Sequence, residues 1–265
     1  MKIGIVGCAG RMGRMLLKEV SASPETTLVG GIERPGSPAT GTDLGLLIGS
    51  ETIGIGVGDD AAELFAASDT VIDFTTPAAT VTHAALAARH GSALIVGTTG
   101  MGPDHVAALE RAAQKVPVVF APNMSVGVTL LMALTERVAG LLKDDYDIEI
   151  LEMHHRFKVD APSGTALGLG KAAAAGRGID LDEMATRVRD GLTGPREPGS
   201  IGFATLRGGD VVGDHTVIFA AEGERIELTH RASNRAVFAK GALRAALWTR
   251  DRAPGLYSMH DVLGL

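Results

Sequence analysis

The first thirteen residues narrow the choice of folds more than any other stretch of the chain. "KIGIV" (2–6) is a short apolar run with the composition of a buried parallel strand. "GCAGRMG" (7–13) follows without a spacer, and Met12, Met15, Leu16 and Val20 then recur at helical spacing, so a helix begins near Arg11. The pattern repeats. "TTLVGGIE" (26–33) and "TVIDF" (70–74) read as strands, and Pro77 stands at the first turn of a helix that runs to about His90. "SALIVGTT" (92–99) is a strand, "GPDHVAALERAAQK" (102–115) a helix and "VPVVFAP" (116–122) a strand. Strands alternating with helices in this way predict an α/β, doubly wound parallel sheet.

After Asn123 the pattern changes. "VGVTLLMALTERVAGLLK" (126–143) is a long apolar helix, "YDIEILEMHH" (146–155) a strand with partial alternation, and 163–176 an Ala-rich helix. From Ser200 to Ala232 three β-rich runs are separated by Gly-Gly-Asp and Glu-Gly-Glu turn signals, which predicts a β-meander. Residues 187–199 carry Gly, Pro and charges and read as a mobile loop, and a last helix spans about 234–249. The second half is therefore α+β, with an antiparallel or mixed sheet. The changes of pattern near 123–127 and 232–236 mark hinges.

"GCAGRMG" is G-x-x-G-x-x-G, a variant of the dinucleotide fingerprint. Gly7 permits the tight turn after the strand, Gly10 lets the main chain approach a pyrophosphate, and Gly13 allows close packing of the helix. The free N–H groups of the helix start then face the phosphates. Glu33 stands twenty residues beyond Gly13, at the end of the second strand, where an acid meets the adenosine ribose. Arg34 follows. An acid favours the free 2′-hydroxyl of NAD and an arginine the 2′-phosphate of NADP, so the pair predicts weak discrimination; a solvated surface arginine is the competing reading. "DFTTP" (73–77), "GTTG" (97–100) and "APNMS" (121–125) each end a strand, where an open α/β sheet places its ligand; ordinary βα turns are the competing reading for any one of them.

The densest chemistry lies in "EMHHRFKVDAPSGTA" (152–166). Three readings of His154 and His155 compete. As metal ligands they are awkward, since adjacent strand residues point to opposite faces and no third Cys or His ligand is near. As structural histidines they would cap a strand end. As part of a cationic pocket they join Arg156, Lys158 and a helix N-terminus at Ser163, Gly164 and Thr165, and that set suits a small dicarboxylate and supplies a proton donor.

This block resembles the signature of the 4-hydroxy-tetrahydrodipicolinate reductases, also called dihydrodipicolinate reductases, of diaminopimelate and lysine biosynthesis. The resemblance extends through "GCAGRMG", "DFTTP", "GTTG", "APNMSVGV", "IGFATLRGGDVVGDHTV" and "ELTHRASNR" to "ALWTRDRAPGLYSMHDVL". It implies NADPH or NADH as hydride source and a small cyclic dicarboxylate as substrate. It implies His154 as proton donor and acceptor, Lys158 as proton donor, and His155, Gly164 and Thr165 as substrate-binding residues. Cofactor contacts are implied for Gly7, Cys8, Ala9, Gly10, Arg11 and Met12, for Glu33 and Arg34, for Gly97, Thr98 and Thr99, and for Ala121, Pro122, Asn123 and Met124. No metal is implied. It further implies a homotetramer, with a Rossmann-type dinucleotide-binding domain over 1–125 completed by 235–265, and a substrate-binding and oligomerisation domain over 126–234.

Bulk properties remove other classes. A formal charge of −6 opposes a general nucleic-acid partner, which requires a basic face. No apolar run reaches the length of a membrane span, and the glycine-broken N-terminus reads as a strand, so a cytoplasmic protein without a membrane partner is expected. Cys8 is the single cysteine. A phosphorylating semialdehyde dehydrogenase needs a nucleophilic cysteine in its second domain, which makes it the poorer rival enzyme. A non-catalytic dinucleotide sensor is the rival from a different class, and Lys158 as proton donor argues against it.

Overall fold

The structure is a computed structural model describing residues 1–265. In chain order its elements are β1 (Lys2–Val6), α1 (Arg11–Ala22), β2 (Thr27–Ile32), α2 (Leu44–Leu47), α3 (Ala61–Ala67), β3 (Thr70–Asp73), α4 (Pro77–His90), β4 (Ala93–Val96), α5 (Pro103–Ala113) and β5 (Pro117–Phe120). There follow α6 (Val126–Leu142), β6 (Asp147–His154), α7 (Gly164–Arg177), α8 (Leu181–Met184), β7 (Ala185–Thr186), β8 (Ile201–Arg207), β9 (Gly213–Ala221), β10 (Glu224–Ala232), α9 (Ala236–Trp248), β11 (Gly255–Tyr257) and α10 (Met259–Leu263). The chain divides into two compact units, Met1–Val126 with Ala236–Leu265, and Gly127–Arg235.

The first unit is built on a six-stranded parallel sheet in the order β11-β5-β4-β3-β1-β2. The strand order reverses at β1, which has β2 on one side and β3 on the other, so the crevice beyond its C-terminal end is a topological switch point. Pleating divides the apolar residues between two faces. Ile3, Ile5, Ile72, Ile95 and Val119 pack with Leu16 and Leu17 of α1 and Ala242 and Ala246 of α9. Val6, Val71, Leu94, Val96 and Val118 pack with Phe65, Ala84 and Leu109 of α3, α4 and α5. Beyond the expected last helix the chain adds β11 and α10. β11 has only three residues, too few to show a period, and pairs with β5 alone.

The second unit holds a five-stranded mixed sheet in the order β10-β9-β6-β8-β7. Here the expected meander is corrected. Only β9 and β10 form a hairpin, while β6 lies between β8 and β9, parallel to the first and antiparallel to the second. The segment joining β8 to β9 is therefore a crossing over the end of β6, not a hairpin turn. Its backbone bonds record this: Gly208 N donates to His154 O, Arg156 N to Gly209 O and His155 N to Val211 O. A Gly-Gly-Asp signal marks a change of direction and does not say whether the flanking strands pair.

One face of this sheet, with Ile148, Ile150, Ile201, Phe203, Val217 and Phe219, packs on Ala166, Leu169 and Ala173 of α7 and on Leu131 and Ala139 of α6. Residues 187–199 carry no regular structure, and Arg189 and Arg196 from this loop both bond Glu149. No helix is long and apolar enough to cross a membrane.

Candidate active site

In the first unit a cavity of about 500 Å³ opens at the switch point, lined by Gly7, Gly10, Glu33, Arg34, Phe74 and Thr75 among others. Gly7 takes φ +68°, the left-handed region that a side chain resists. At Gly13 an added Cβ would collide with the Gly7 carbonyl oxygen and lie 2.6 Å from Cys8 Cα, so its close approach is to the loop's own backbone. The N-cap of α1 is Gly10, which supplies no side-chain acceptor, so no side chain caps the first turn. Glu33 Oε1 accepts from Ala9 N at 2.9 Å and so ties the end of β2 to the glycine-rich turn. These features suit a dinucleotide: an uncapped helix start, a glycine turn and an acid on the adjacent strand end.

The neighbouring strand ends are ordered by a residue the sequence reading left without a role. Asp73, fully buried, accepts from Thr75 N at 2.8 Å, Thr75 Oγ1 at 2.6 Å and Thr98 Oγ1 at 3.3 Å, and it pairs with His83 Nδ1 at 2.7 Å. Burial opposes its charge, but the His83 and Thr75 hydrogen bonds outweigh burial and hold the carboxyl below the ordinary carboxylate range. The signal was present as an aspartate closing the apolar run "TVID".

Gly7, Gly10, Glu33 and Arg34 line the cavity, whereas the other cofactor candidates do not. Cys8 is buried in the core beneath the turn, and burial, then the Glu33 charge, push its thiol up to about 12. Its backbone N–H donates to Ile32 O at 3.1 Å, and a thiol held in that state is no nucleophile. Ala9 follows Cys8 in the turn, and Arg11 and Met12 form the first turn of α1. Gly97, Thr98 and Thr99 follow β4, where Thr98 is buried and bonds Thr80 Oγ1 at 3.0 Å. Ala121, Pro122, Asn123 and Met124 follow β5, with Met124 in the core and Asn123 Oδ1 accepting from Ser125 N at 2.9 Å.

In the second unit the alternation of β6 runs Ile148, Ile150, Glu152, His154, so that a carboxylate and an imidazole continue the buried row. On β9, His215 precedes Val217 and Phe219 in the same way. Polar residues in core phase were the available signal for Glu152 and His215; the sequence reading did not use it. Glu152 is 1% exposed. Its Oε2 accepts from His154 Nδ1 at 2.6 Å and Arg207 Nη1 at 2.8 Å, and its Oε1 from Arg207 Nη2 at 2.9 Å, Ser163 N at 3.0 Å and Thr205 Oγ1 at 3.4 Å. Burial opposes the charge, but Arg207, His154 and Ser163 outweigh it and keep Glu152 below the ordinary carboxylate range.

His154 is buried, and burial lowers its pKa against the opposing pull of Glu152. Lys158 Nζ lies 2.8 Å from both carboxylate oxygens of Asp160. His155 stands just past the strand, with Nε2 3.3 Å from Arg235 Nη2 and Nδ1 buried without a partner. Ser163 caps α7, its Oγ accepting from Ala166 N at 3.1 Å and lying 3.1 Å from His215 Nε2. At Gly164, beside Thr165 in the first turn of α7, no atom lies within 4 Å of the place a Cβ would take. No group of three His, Cys, Asp or Glu side chains converges as metal ligands do.

His215 carries a consequence for stability. Burial, then the nearby His154, lower its pKa from 6.5 to about 4. Between those values the unfolded chain binds a proton that the folded chain does not. Stability therefore falls as pH drops from 6.5 towards 4, by up to about 3 kcal/mol for this group. Urea unfolding at pH 7 and pH 4.5 measures the loss, and the loss is expected to shrink in His215→Gln. An equal loss in the variant would assign it to other groups.

A parallel sheet with a glycine-rich first turn, joined in one chain to a mixed-sheet unit bearing a histidine–carboxylate cluster, defines a two-domain oxidoreductase of the dinucleotide-binding class. Residues 1–124 match the family description "Dihydrodipicolinate reductase, N-terminus" and residues 127–263 "Dihydrodipicolinate reductase, C-terminus". The chain belongs to the dihydrodipicolinate reductase family. It is 57% identical to a 4-hydroxy-tetrahydrodipicolinate reductase of Dinoroseobacter shibae over 99% of this chain and 98% of that one. With the enzyme of that name from Thiobacillus denitrificans the identity is 54%, over 100% and 99%. Among solved structures, a dipicolinate-bound dihydrodipicolinate reductase from Paenisporosarcina sp. TG-14 has a TM-score of 0.75 at 23% identity, over 97% of both chains. At that identity the likeness is one of fold, and the same holds for a C. glutamicum DAP dehydrogenase at a TM-score of 0.55 and 13% identity, over 98% of this chain and 92% of that one.

Proposed function

We propose that the protein reduces 4-hydroxy-tetrahydrodipicolinate to tetrahydrodipicolinate with NADH or NADPH, in diaminopimelate and lysine biosynthesis. The observation that carries this reading is the fold of residues 152–166. One short segment presents an oriented imidazole, an ammonium and the start of a helix, on a chain that matches both halves of the family.

When bound, the dinucleotide supplies the hydride. The turn Gly7–Gly10 and the start of α1 hold its phosphates, Glu33 its adenosine ribose, and Arg34 a 2′-phosphate where one is present. Cys8, Ala9, Arg11, Met12 and the strand-end groups Gly97–Thr99 and Ala121–Met124 complete that side. Loss of the 4-hydroxyl with a ring hydrogen as water leaves the more unsaturated ring. Hydride addition to that ring leaves negative charge until a proton arrives, and Lys158 and His154 are the groups that supply the proton. His155, Gly164 and Thr165 take the substrate carboxylates, aided by the helix dipole of α7. We further read the protein as a cytoplasmic homotetramer that binds neither nucleic acid nor membrane. The long exposed edge strand β10 supports self-association, and light scattering tests it.

The deciding experiment presents the condensation product of pyruvate and aspartate semialdehyde and follows the oxidation of NADH and of NADPH. Substrate-dependent oxidation is expected with both, and none from folded protein would sink the reading. Arg34→Ala is expected to raise KM for NADPH roughly tenfold more than for NADH, the value of one charge-assisted contact. Equal loss with both cofactors would remove Arg34 from the 2′ position.

A further inference from the structure

We propose that Glu152 is the positioning residue of this site: its carboxylate fixes the His154 ring with Nδ1 as donor and, through the Ser163 N–H, seats the first turn of α7. The proposal rests on the reading above, in which His154 handles the proton and α7 the substrate carboxylates. It adds that one side chain sets the geometry of both.

The argument is one of donors and acceptors. Five donors converge on the two oxygens of Glu152: His154 Nδ1, Arg207 Nη1 and Nη2, Ser163 N and Thr205 Oγ1. An ionised carboxylate accepts all five, and nothing around it asks for a donor. Neutral His154 facing such an acceptor carries its hydrogen on Nδ1, which leaves Nε2 as the atom that exchanges a proton. Nε2 lies against Gly213, where an added Cβ would come within 3.0 Å, so the ring is confined on that edge as well. Arg207 fixes Glu152 from β8 and also donates to Asp160 O at 2.6 Å, which ties the Lys158–Asp160 turn to the same hub. The charged and titratable groups acting on His154 are Glu152 on its own strand, Lys158 beyond it, Arg207 on β8 and His215 on β9. Glu152 favours the protonated ring, and Lys158 and Arg207 oppose it.

Glu152→Gln keeps the shape and replaces one acceptor by an NH₂ group, which meets donors on either side. In the test, long-range ¹H–¹⁵N spectra of ¹⁵N-histidine-labelled full-length protein read the His154 tautomer and titration without substrate. The wild type is expected to show the Nδ1–H tautomer. In Glu152→Gln the Nε2–H form is expected to grow, the titration to move to lower pH by about one pH unit, kcat to fall roughly tenfold to a hundredfold, and dipicolinate to bind more weakly. In Arg207→Met the titration is expected to move to higher pH, because a cation is removed. Opposite shifts distinguish positioning from a general loosening of the fold, and the Arg207 variant provides a separate reading should Glu152→Gln fold poorly. An unchanged tautomer and titration in Glu152→Gln, or shifts of the same sign in both variants, would overturn the proposal. The spectra need no turnover, so failure of the proposed reaction and failure of this proposal are separate results.

Discussion

Lys158→Met is expected to lower kcat by roughly a hundredfold or more while changing KM little, within the ~10²–10⁴-fold that general acid catalysis contributes. Methionine matches the length of the chain and carries no proton. A charge that only held a substrate carboxylate would act on ground and transition states alike, so its loss would raise KM; an acid acts as charge develops, so its loss lowers kcat. The pairing of Lys158 Nζ with both oxygens of Asp160 adds a second arm. Asp160→Asn is expected to disturb the reaction far less than Lys158→Met, because it leaves the proton-bearing group in place. Steady-state kinetics across pH separate the readings. A variant with near-normal kcat and a raised KM would return Lys158 to binding and leave His154 as the candidate acid.

The second large effect is expected at the glycine-rich turn, where Gly10 and Gly13 respond differently. Gly13→Ala drives a methyl group into the Gly7 carbonyl and the Cys8 backbone, neither of which is a flexible side-chain end. The turn must open, and a destabilisation of at least about 3 kcal/mol is expected, together with loss of dinucleotide binding. At Gly10 an added Cβ meets only the Gly7 carbonyl, at 3.2 Å. Gly10→Ala is therefore expected to fold nearly normally and still bind NADPH poorly, because the methyl group stands at the start of α1, where the proposed site holds the phosphates. Thermal unfolding and titration of cofactor fluorescence measure the two effects. A normal unfolding temperature for Gly13→Ala would show that the turn yields without cost.

Much of the first unit was legible from sequence, because its elements are local. "KIGIV", "TVIDF" and "SALIVGTT" carry their own strand signals, and the turn glycines and Pro77 punctuate them. The parallel sheet follows, since strands separated by helices have little other choice. The short edge strand β11 escaped because three residues show no period, and its place beside β5 is decided by the sheet edge it completes. In the second unit the strands were legible and their order was not. Periodicity reports which residues of a strand are buried and is silent on which strand lies next to it. β6 came to lie between β8 and β9, and that insertion, not any turn signal, brings Arg207 and His215 to either side of Glu152 and His154.

The sequence by itself determined the class of fold, the glycine-rich first turn and the family, because each rests on motifs whose residues are close together in the chain. The tertiary structure alone decided that Glu152 meets His154 Nδ1, and that Asp73 orders the strand ends beside the cavity. The physical reason is that a buried carboxylate is stable only where several donors converge on it. Those donors come from elements far apart in sequence, so their meeting is a property of strand order.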